Sequence, residues 1–218
     1  MFNMMISNLK YFFMEKSREK KYQQFICLTK PSTASTILDI GIADKEYSPY
    51  DNYLEKRYPY QSKITGLSIC HLRQFPKSYP EIQVVVYNGG KFPFRDKEFS
   101  ISFSNAVIEH VGNFEKQVLF IKEMKRVAHQ FYFTTPAKEF PLEIHTNYPI
   151  IHWLSNKTFD SIITKLGKGW ASGDYMNLLK KRDIEHLLKS AEVKKFKILT
   201  HKFCLFPLHY AVWGMGDD

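Results

Sequence analysis

The chain has 218 residues, 44% hydrophobic and 24% charged, a composition that suits a globular domain with a sizeable core and excludes a fibrous or disordered chain. No apolar run reaches the roughly 18–20 residues of a membrane span, and the opening MFNMMISNLKYFFMEKSREKK lacks the clean apolar centre and small-residue cleavage site of a secretion signal. The net charge of +9 raises nucleic acid or an anionic membrane as partners, but no recognition-helix or RNA-binding motif accompanies the basic stretches, which read as solvated faces, so a nucleic-acid partner is not expected.

Residues 3–29 read as a helix, with Leu9, Phe12, Phe13, Phe25 and Leu28 among basic residues, ended by Pro31-Ser32-Thr33. Residues 1–32 are expected to form an N-terminal helical cap. Residues 36–41 (TILDIG) make a short buried strand stopped by glycine. The polar loop IADKEYSPYDN follows, where Asp51 or Asn52 could cap a short helix, NYLEKRY. Residues 64–69, 82–87 and 101–104 give three more strands, the third closed by Asn88-Gly89-Gly90. Residues 114–127 have apolar positions at helical spacing, and 131–135 (FYFTT) form a fifth strand ended by Pro136.

Strands alternating with helical segments indicate an α/β fold: a mostly parallel sheet with helices on both faces. The rhythm breaks after Pro136, and residues 137–175, rich in Pro, His, Trp and Gly, are expected to form a lid insertion over the strand ends. A helix over 183–190 and two closing strands, 195–201 and 204–213, complete the chain, the strands forming a hairpin around Lys202. With no repeat, low-complexity tract or linker, residues 1–218 are expected to be a single domain. Cys27, Cys70 and Cys204 have no metal-ligand spacing, which implies reduced thiols, a cytoplasmic protein and no metal.

The stretch FPFRDKEFSISFSNAVIEHV (92–111) breaks an apolar strand with Ser104-Asn105 and resumes at once with Ala106. A strand that only fills a core gains nothing from small polar residues at its C-terminal end. One that delivers backbone and side chains to a ligand needs them there, because open α/β sheets bind ligands beyond the carboxyl ends of their strands. Taken in order, LDIG (38–41), FPFRDKEFSISFSNAVIEHV, FIKEMKRV (120–127) and FYFTTP (131–136) resemble the class I S-adenosylmethionine-dependent methyltransferases, of the methyltransferase type 11-like kind. The likeness covers about residues 36–136, and FPLEIHTNYPIIHWL (140–154) looks like the insertion of a sub-branch of small bacterial methyltransferases.

The resemblance implies a Rossmann-like fold, S-adenosyl-L-methionine as cofactor, and contacts to it from Asp39, Gly41, Ser68, Asn88, Gly89, Asn105, Ala106 and His110. Asp39 would serve the cofactor's ammonium, and Asn105-Ala106 would lie along its methionine part. The sequence also departs from the family. Ile42-Ala43-Asp44 stand where further glycines are usual, Ser68 where an acid receives the ribose hydroxyls, Asn88 where an Asp contacts the adenine amino group, and Ser100 where an Asp is common, outside the site. Each lost acid replaces a charge-assisted bond of about 1.5–3 kcal/mol by a neutral one of about 0.5–1.5 kcal/mol. Either cofactor affinity is modest, or the N-terminal cap compensates, with Tyr11, Tyr22 and Phe25 folding over the ligand.

Methyl transfer needs alignment of nucleophile, methyl and sulfur, exclusion of water, and a base where the nucleophile carries a proton. Glu143 and His145 alternate with Leu142 and Ile144, so in an extended segment they point the same way. His145 is the expected general base with Glu143 orienting it, or the pair binds substrate. Tyr175 is a further catalytic candidate, and His152, Trp153 and Trp170 are expected to line an aromatic lid. The expected function is methyl transfer to a small molecule or glycan precursor. Three alternatives stand beside it: release of methylthioadenosine by cyclisation or aminobutyryl transfer, a non-catalytic cofactor-binding pseudo-enzyme, and, as a lesser variant, a nucleic-acid methyltransferase using the basic patches.

Overall fold

The computed structural model describes residues 2–46, 48–142, 146, 148–173 and 176–216, with 2–14 and 156 described by backbone alone. In chain order the elements are α1 (Phe2–Thr29), β1 (Ile37–Ile40), α2 (Tyr53–Arg57), β2 (Ile64–Ser68), α3 (Phe75–Ser78), β3 (Gln83–Val86), β4 (Phe99–Asn105), α4 (Phe114–Val127), β5 (Ala128–Pro136), α5 (Asn156–Lys165), α6 (Lys181–Ser190), β6 (Phe196–Phe203) and β7 (Phe206–Met215). The strands form one seven-stranded sheet in the order β3-β2-β1-β4-β5-β7-β6. The first five are parallel, and β7 runs antiparallel to both β5 and β6.

Alternation along β5 shows how the sequence builds two cores. Phe131 and Phe133 point to the face covered by α4 and α6, where they pack with Phe120, Met124, Ile184 and Leu188. Tyr132 points to the other face and packs with Phe25 of α1, Phe103 of β4 and Tyr53 of α2. Successive side chains of a strand leave on opposite faces, so a run of three aromatics can serve both layers. Phe103 and Tyr132 stack at 5.9 Å, and Phe25 meets them edge-on at 5.1 Å and 5.6 Å. A buried ring of this kind is worth about 1.5–3 kcal/mol of transfer free energy.

Phe25 is therefore core, not a ligand-covering residue, and the Tyr22 hydroxyl is engaged with the carbonyl of Arg57 at 3.2 Å. The expected cap on α2 also differs. Asn52 stands at the N-cap in a left-handed conformation (φ 48°) without a side-chain cap. Its amide instead closes the preceding loop, donating to the carbonyl of Ala43 at 2.9 Å while its oxygen accepts from the Ala43 N–H at 3.2 Å. The β6–β7 turn falls at Cys204-Leu205, two residues beyond Lys202.

α1 lies antiparallel to β5: the Gln130 amide donates to the Thr29 carbonyl at 2.8 Å, and the Tyr132 hydroxyl donates to that of Lys21 at 3.2 Å. Moving back along α1 thus means moving toward the C-terminal ends of the strands. Residue 18 reaches the end of β4, and residues 2–14 continue past the edge of the sheet. Among the described residues, no helix is long and apolar enough to cross a membrane.

Candidate functional site

The chain leaves β1 outward to β2 and β3, then returns on the other side of β1 to make β4. Such a reversal opens a crevice between the carboxyl ends of the two strands, the usual ligand position in open α/β sheets. A cavity of about 200 Å³ lies there, lined among others by Arg18, Asp39, Gly41, Tyr53, Glu55 and Asn105.

Local chemistry explains how the strand ends hold open. The Ser104 hydroxyl donates to the Ile40 carbonyl at 3.1 Å, tying the end of β4 to that of β1. Ala106 then takes a left-handed conformation (φ 56°), its N–H donating to the Thr134 carbonyl at 2.8 Å. Positive φ is costly for a residue with a Cβ and tends to persist where the surroundings over-determine it. Gly41 also has positive φ (91°), and Val107 packs so closely against it that no side chain would fit. Small polar residues at the end of β4 therefore serve a tight turn at a cavity wall.

One end of the cavity is acidic. Asp39 and Glu55 are both buried, and no side-chain donor among the described residues reaches either oxygen of Glu55 apart from the carboxyl of Asp39. Burial, and then the charge and hydrogen bond of Glu55, push Asp39 well above the usual carboxyl range. Burial also raises Glu55, against the hydrogen bond from Asp39 that lowers it. Each carboxyl is thus harder to ionise than an exposed one. Beside it the buried hydroxyl of Tyr53 has no partner among the described residues, and burial raises its pKa well above the usual value.

The other end is basic. Asn105 Oδ1 accepts from Arg18 Nη1 at 2.9 Å, from Lys21 Nζ at 3.4 Å and from the Thr134 hydroxyl at 2.8 Å. The Arg18 guanidinium also lies 5.4 Å from the centre of the Tyr53 ring, a cation–π contact. Lys21 is buried, and burial followed by repulsion from Arg18 lowers its pKa well below the usual amine value, against the opposing charge of Glu109. Glu109 itself accepts from the Thr135 hydroxyl at 3.0 Å. Behind this cluster His201 and His209 stack at 4.1 Å, with His201 bonded to Gln24 of α1.

Of the residues expected from sequence, Asp39, Gly41, Asn105 and Ala106 line the cavity. Ser68, Asn88, Gly89 and His110 do not, though the first three lie at the ends of β2 and β3 on the same edge. The Ser68 hydroxyl is used locally, accepting from the Cys70 N–H at 3.1 Å. Glu143, His145 and Tyr175 lie outside the described residues, as does the side chain of Tyr11. His152 is buried with Nε2 at 2.9 Å and 3.1 Å from the carbonyls of Phe140 and Lys138, a structural position inside the lid.

Two departures from the family also resolve into packing. Ser100 pairs with Thr36 at the opposite end of the sheet, its N–H donating to the Thr36 hydroxyl at 3.0 Å. Asp44 accepts from the backbone N–H groups of Arg73, Gln74 and Phe75 at 2.7–3.0 Å, so the loop after Gly41 is stitched to the start of α3. FPFRD and the α4 pattern form one bracket: Arg126 bonds the carbonyls of Phe92 and Phe94 and the carboxylates of Asp96 and Glu123. Sequence reasoning missed Arg18, Lys21 and Glu55. A signal existed for the first two, since Arg18, Lys21 and Phe25 fall on one face of a helix whose apolar side must be buried.

Comparisons with known proteins agree with this geometry. Residues 38–130 match the methyltransferase domain family. No curated protein matches the sequence at a significant level. Among solved structures, a SAM-dependent methyltransferase of Methanosarcina mazei is 18% identical, with a TM-score of 0.58 over 85% of this chain and 93% of that one. One from Aquifex aeolicus is 15% identical, with a TM-score of 0.53 over 84% and 82%. Phosphoethanolamine N-methyltransferase 2 of Haemonchus contortus, solved with S-adenosyl-L-methionine, is 9% identical, with a TM-score of 0.60 over 92% of this chain and 53% of that one. At such identities the structural likeness is one of fold, and the family rests on the matched segment. That segment, from β1 to the start of β5, matches a methyltransferase domain, and the fold is the one shared by these S-adenosylmethionine-dependent methyltransferases.

Proposed function

We propose that the cavity between β1 and β4 takes the methionyl end of S-adenosyl-L-methionine, and that the methyl group passes to a small molecule or glycan precursor. The observation that carries this reading is the cavity's polarity: a buried carboxyl pair at one end and a guanidinium at the other. An α-amino acid presents an ammonium and a carboxylate, and a cavity so charged complements both. When an ammonium settles against Asp39 and Glu55, it gives both carboxyls a cation to face and favours their ionised forms. Arg18 turns part of its donor set from Asn105 to the ligand carboxylate, a bond between two opposite charges, stronger than the one it now makes to a neutral amide oxygen. Ser68, Asn88, Gly89 and the exposed Ile69 at the ends of β2 and β3 form an open shelf on which the adenosyl part would rest.

Bound in this way, S-adenosyl-L-methionine supplies an already activated methyl group. The chain's own work is to align it, exclude water and accept a proton from the acceptor. His145, oriented by Glu143, and Tyr175 retain those acceptor-side roles in this proposal, His110 stays at the turn after β4, and Lys21 adds a buried amine close to Asn105. The test is incubation with cofactor, with and without acceptors, followed by chromatography of the nucleoside products. S-Adenosylhomocysteine formed only in the presence of an acceptor is the expected result. Methylthioadenosine formed from cofactor alone would replace methyl transfer by aminobutyryl chemistry, and no binding of cofactor by calorimetry would leave a pseudo-enzyme.

A further inference from the structure

Three segments run beyond the C-terminal edge of the sheet, and two of them leave large apolar side chains uncovered. In the lid, Leu142, Ile150 and Trp153 are each more than 40% exposed. At the β6–β7 turn, Phe203 and Phe206 are 40% and 43% exposed and Leu205, at its apex, is 86% exposed. The two groups are one surface. Leu142 pairs with Pro149, the Ile150 N–H donates to the Pro141 carbonyl at 2.7 Å, and the Trp153 indole donates to the Lys138 carbonyl at 2.9 Å. Phe140 of the same segment meets Phe203 edge-on at 6.4 Å. The third segment is the start of α1. Its residues 2–14 read FNMMISNLKYFFM, nine of them apolar or aromatic with Lys10 the single charge, and the helix carries them past the same edge.

Single exposed hydrophobics are ordinary on protein surfaces, but a contiguous set usually marks an interaction site. A reverse turn is normally built from Gly, Asn, Asp or Ser; this one reads Phe-Cys-Leu-Phe. The surroundings identify the occupant. Lys202 stands at the end of β6 beside the turn, Lys138 lies in the same segment as Trp153, and Lys16 and Lys20 follow the apolar start of α1, while the neighbouring acids are engaged elsewhere, Glu15 with Tyr50, Glu19 with Arg57 and Glu139 with Tyr210. A second copy of the chain set against this face would bring lysines against lysines, because a two-fold interface pairs a patch with itself. Apolar side chains flanked by these lysines instead match a surface that is greasy below and negatively charged above. We propose that this edge docks the protein on an anionic lipid membrane, with Leu205 and its aromatic neighbours entering the headgroup boundary. The proposal concerns a surface and does not depend on the transfer chemistry.

Co-sedimentation of the full chain with vesicles tests it, comparing phosphatidylcholine alone with a mixture containing phosphatidylglycerol. Binding to the mixed vesicles is expected, weakened by salt as lysine attraction is screened. The double change Leu205→Glu and Phe206→Ser should lower that binding at least tenfold while leaving the thermal transition in place, since the turn is exposed. Asp39→Asn should bind vesicles as the unaltered chain does, which separates docking from the cavity's function. No binding to the mixed vesicles, equal binding to neutral ones, or undiminished binding by the turn variant would each overturn the proposal. Light scattering that showed a dimer dissolved by the turn variant would also overturn it, by assigning the face to a second copy.

Discussion

Arg18 and Asn105 lie 87 positions apart in sequence, yet a 2.9 Å hydrogen bond joins the guanidinium of one to the amide oxygen of the other. That bond makes the N-terminal helix a wall of the cavity. It also sets a cation where the reading above needs one for a ligand carboxylate. Removing it by Arg18→Ala should weaken S-adenosyl-L-methionine binding by about 1.5 kcal/mol, roughly tenfold, the lower end for a charged bond because Arg18 is part-exposed. Calorimetric titration measures this. A thermal transition that stays near its original temperature would show the loss to be local, and unchanged affinity would remove Arg18 from the site.

The Asp39–Glu55 pair makes binding and stability depend on pH in opposite directions. Both carboxyls are raised in the folded protein, by burial first. Between the ordinary carboxyl value of about 4 and the raised ones, the folded state therefore holds more protons than the unfolded chain. Stability from this pair is greatest at the acidic end of that window and falls as pH rises through it. An ammonium beside the pair favours the ionised carboxyls, so cofactor affinity should climb over the same range. Urea melts across the window should show the unaltered chain losing stability relative to Asp39→Asn as pH increases, and titrations in buffers of different ionisation enthalpy should reveal about one proton released. Parallel stability curves for the two proteins would refute the raised carboxyl of Asp39.

The stacked histidines carry the opposite sign. Burial and the nearby Lys20 and Lys21 push His201 down to about 4, and His209 is lowered as well, by burial and by Lys21. A depressed histidine stabilises the fold fully above its ordinary value of about 6.5, and that contribution fades as pH falls toward the depressed one. Acid should thus loosen the contact between α1 and the β6–β7 hairpin, where His201 bonds Gln24. His201→Gln should lose less stability than the unaltered chain between about pH 6.5 and 4, a difference on the order of 2 kcal/mol. Chemical denaturation at the two ends of that range checks it, and an equal loss in both proteins would place the acid sensitivity elsewhere.

What the sequence could reveal followed the reach of local rules. Strand-ending glycine, the alternation of β5 and the helical spacing of α4 are short-range patterns, and they gave the parallel sheet and its strand ends closely. Asp39 and Asn105 were readable because a position at the end of a strand is itself a local property. Glu55 was not, since only the fold of the 42–52 loop sets α2 against β1 and brings this acid to Asp39. Asn52 illustrates the same limit: its side chain suits a cap, but the Ala43 backbone nine residues earlier claims both of its polar atoms. Phe25 was expected over a ligand and instead fills the gap between Phe103 and Tyr132, because a helix crossing a sheet buries whichever ring faces it. Arg18 and Lys21 look like any solvated basic residues until that same face is known to be buried.

Gly41 offers a test of the cavity wall itself. It has positive φ (91°), and a Cβ there would stand 2.3 Å from Val107 Cγ2, well inside contact distance. Val107 is β-branched and stiff at χ1, so it has little freedom to yield without moving Ala106 and Asn105 on the same turn. Gly89 makes the control, with nearly the same φ (86°) but open space where a Cβ would go. Both Gly→Ala changes bear the conformational cost of positive φ, about 1 kcal/mol, and only Gly41→Ala adds overpacking of about 1–3 kcal/mol. At about 2–4 °C per kcal/mol for a chain of this size, Gly41→Ala should melt several degrees below Gly89→Ala. It should also lose cofactor affinity, because the shift of Val107 displaces the Asn105 oxygen on which Arg18, Lys21 and Thr134 converge. Equal melting temperatures for the two variants would mean that the turn after β4 yields easily, and the rigid wall assigned to Gly41 and Val107 would have to be given up.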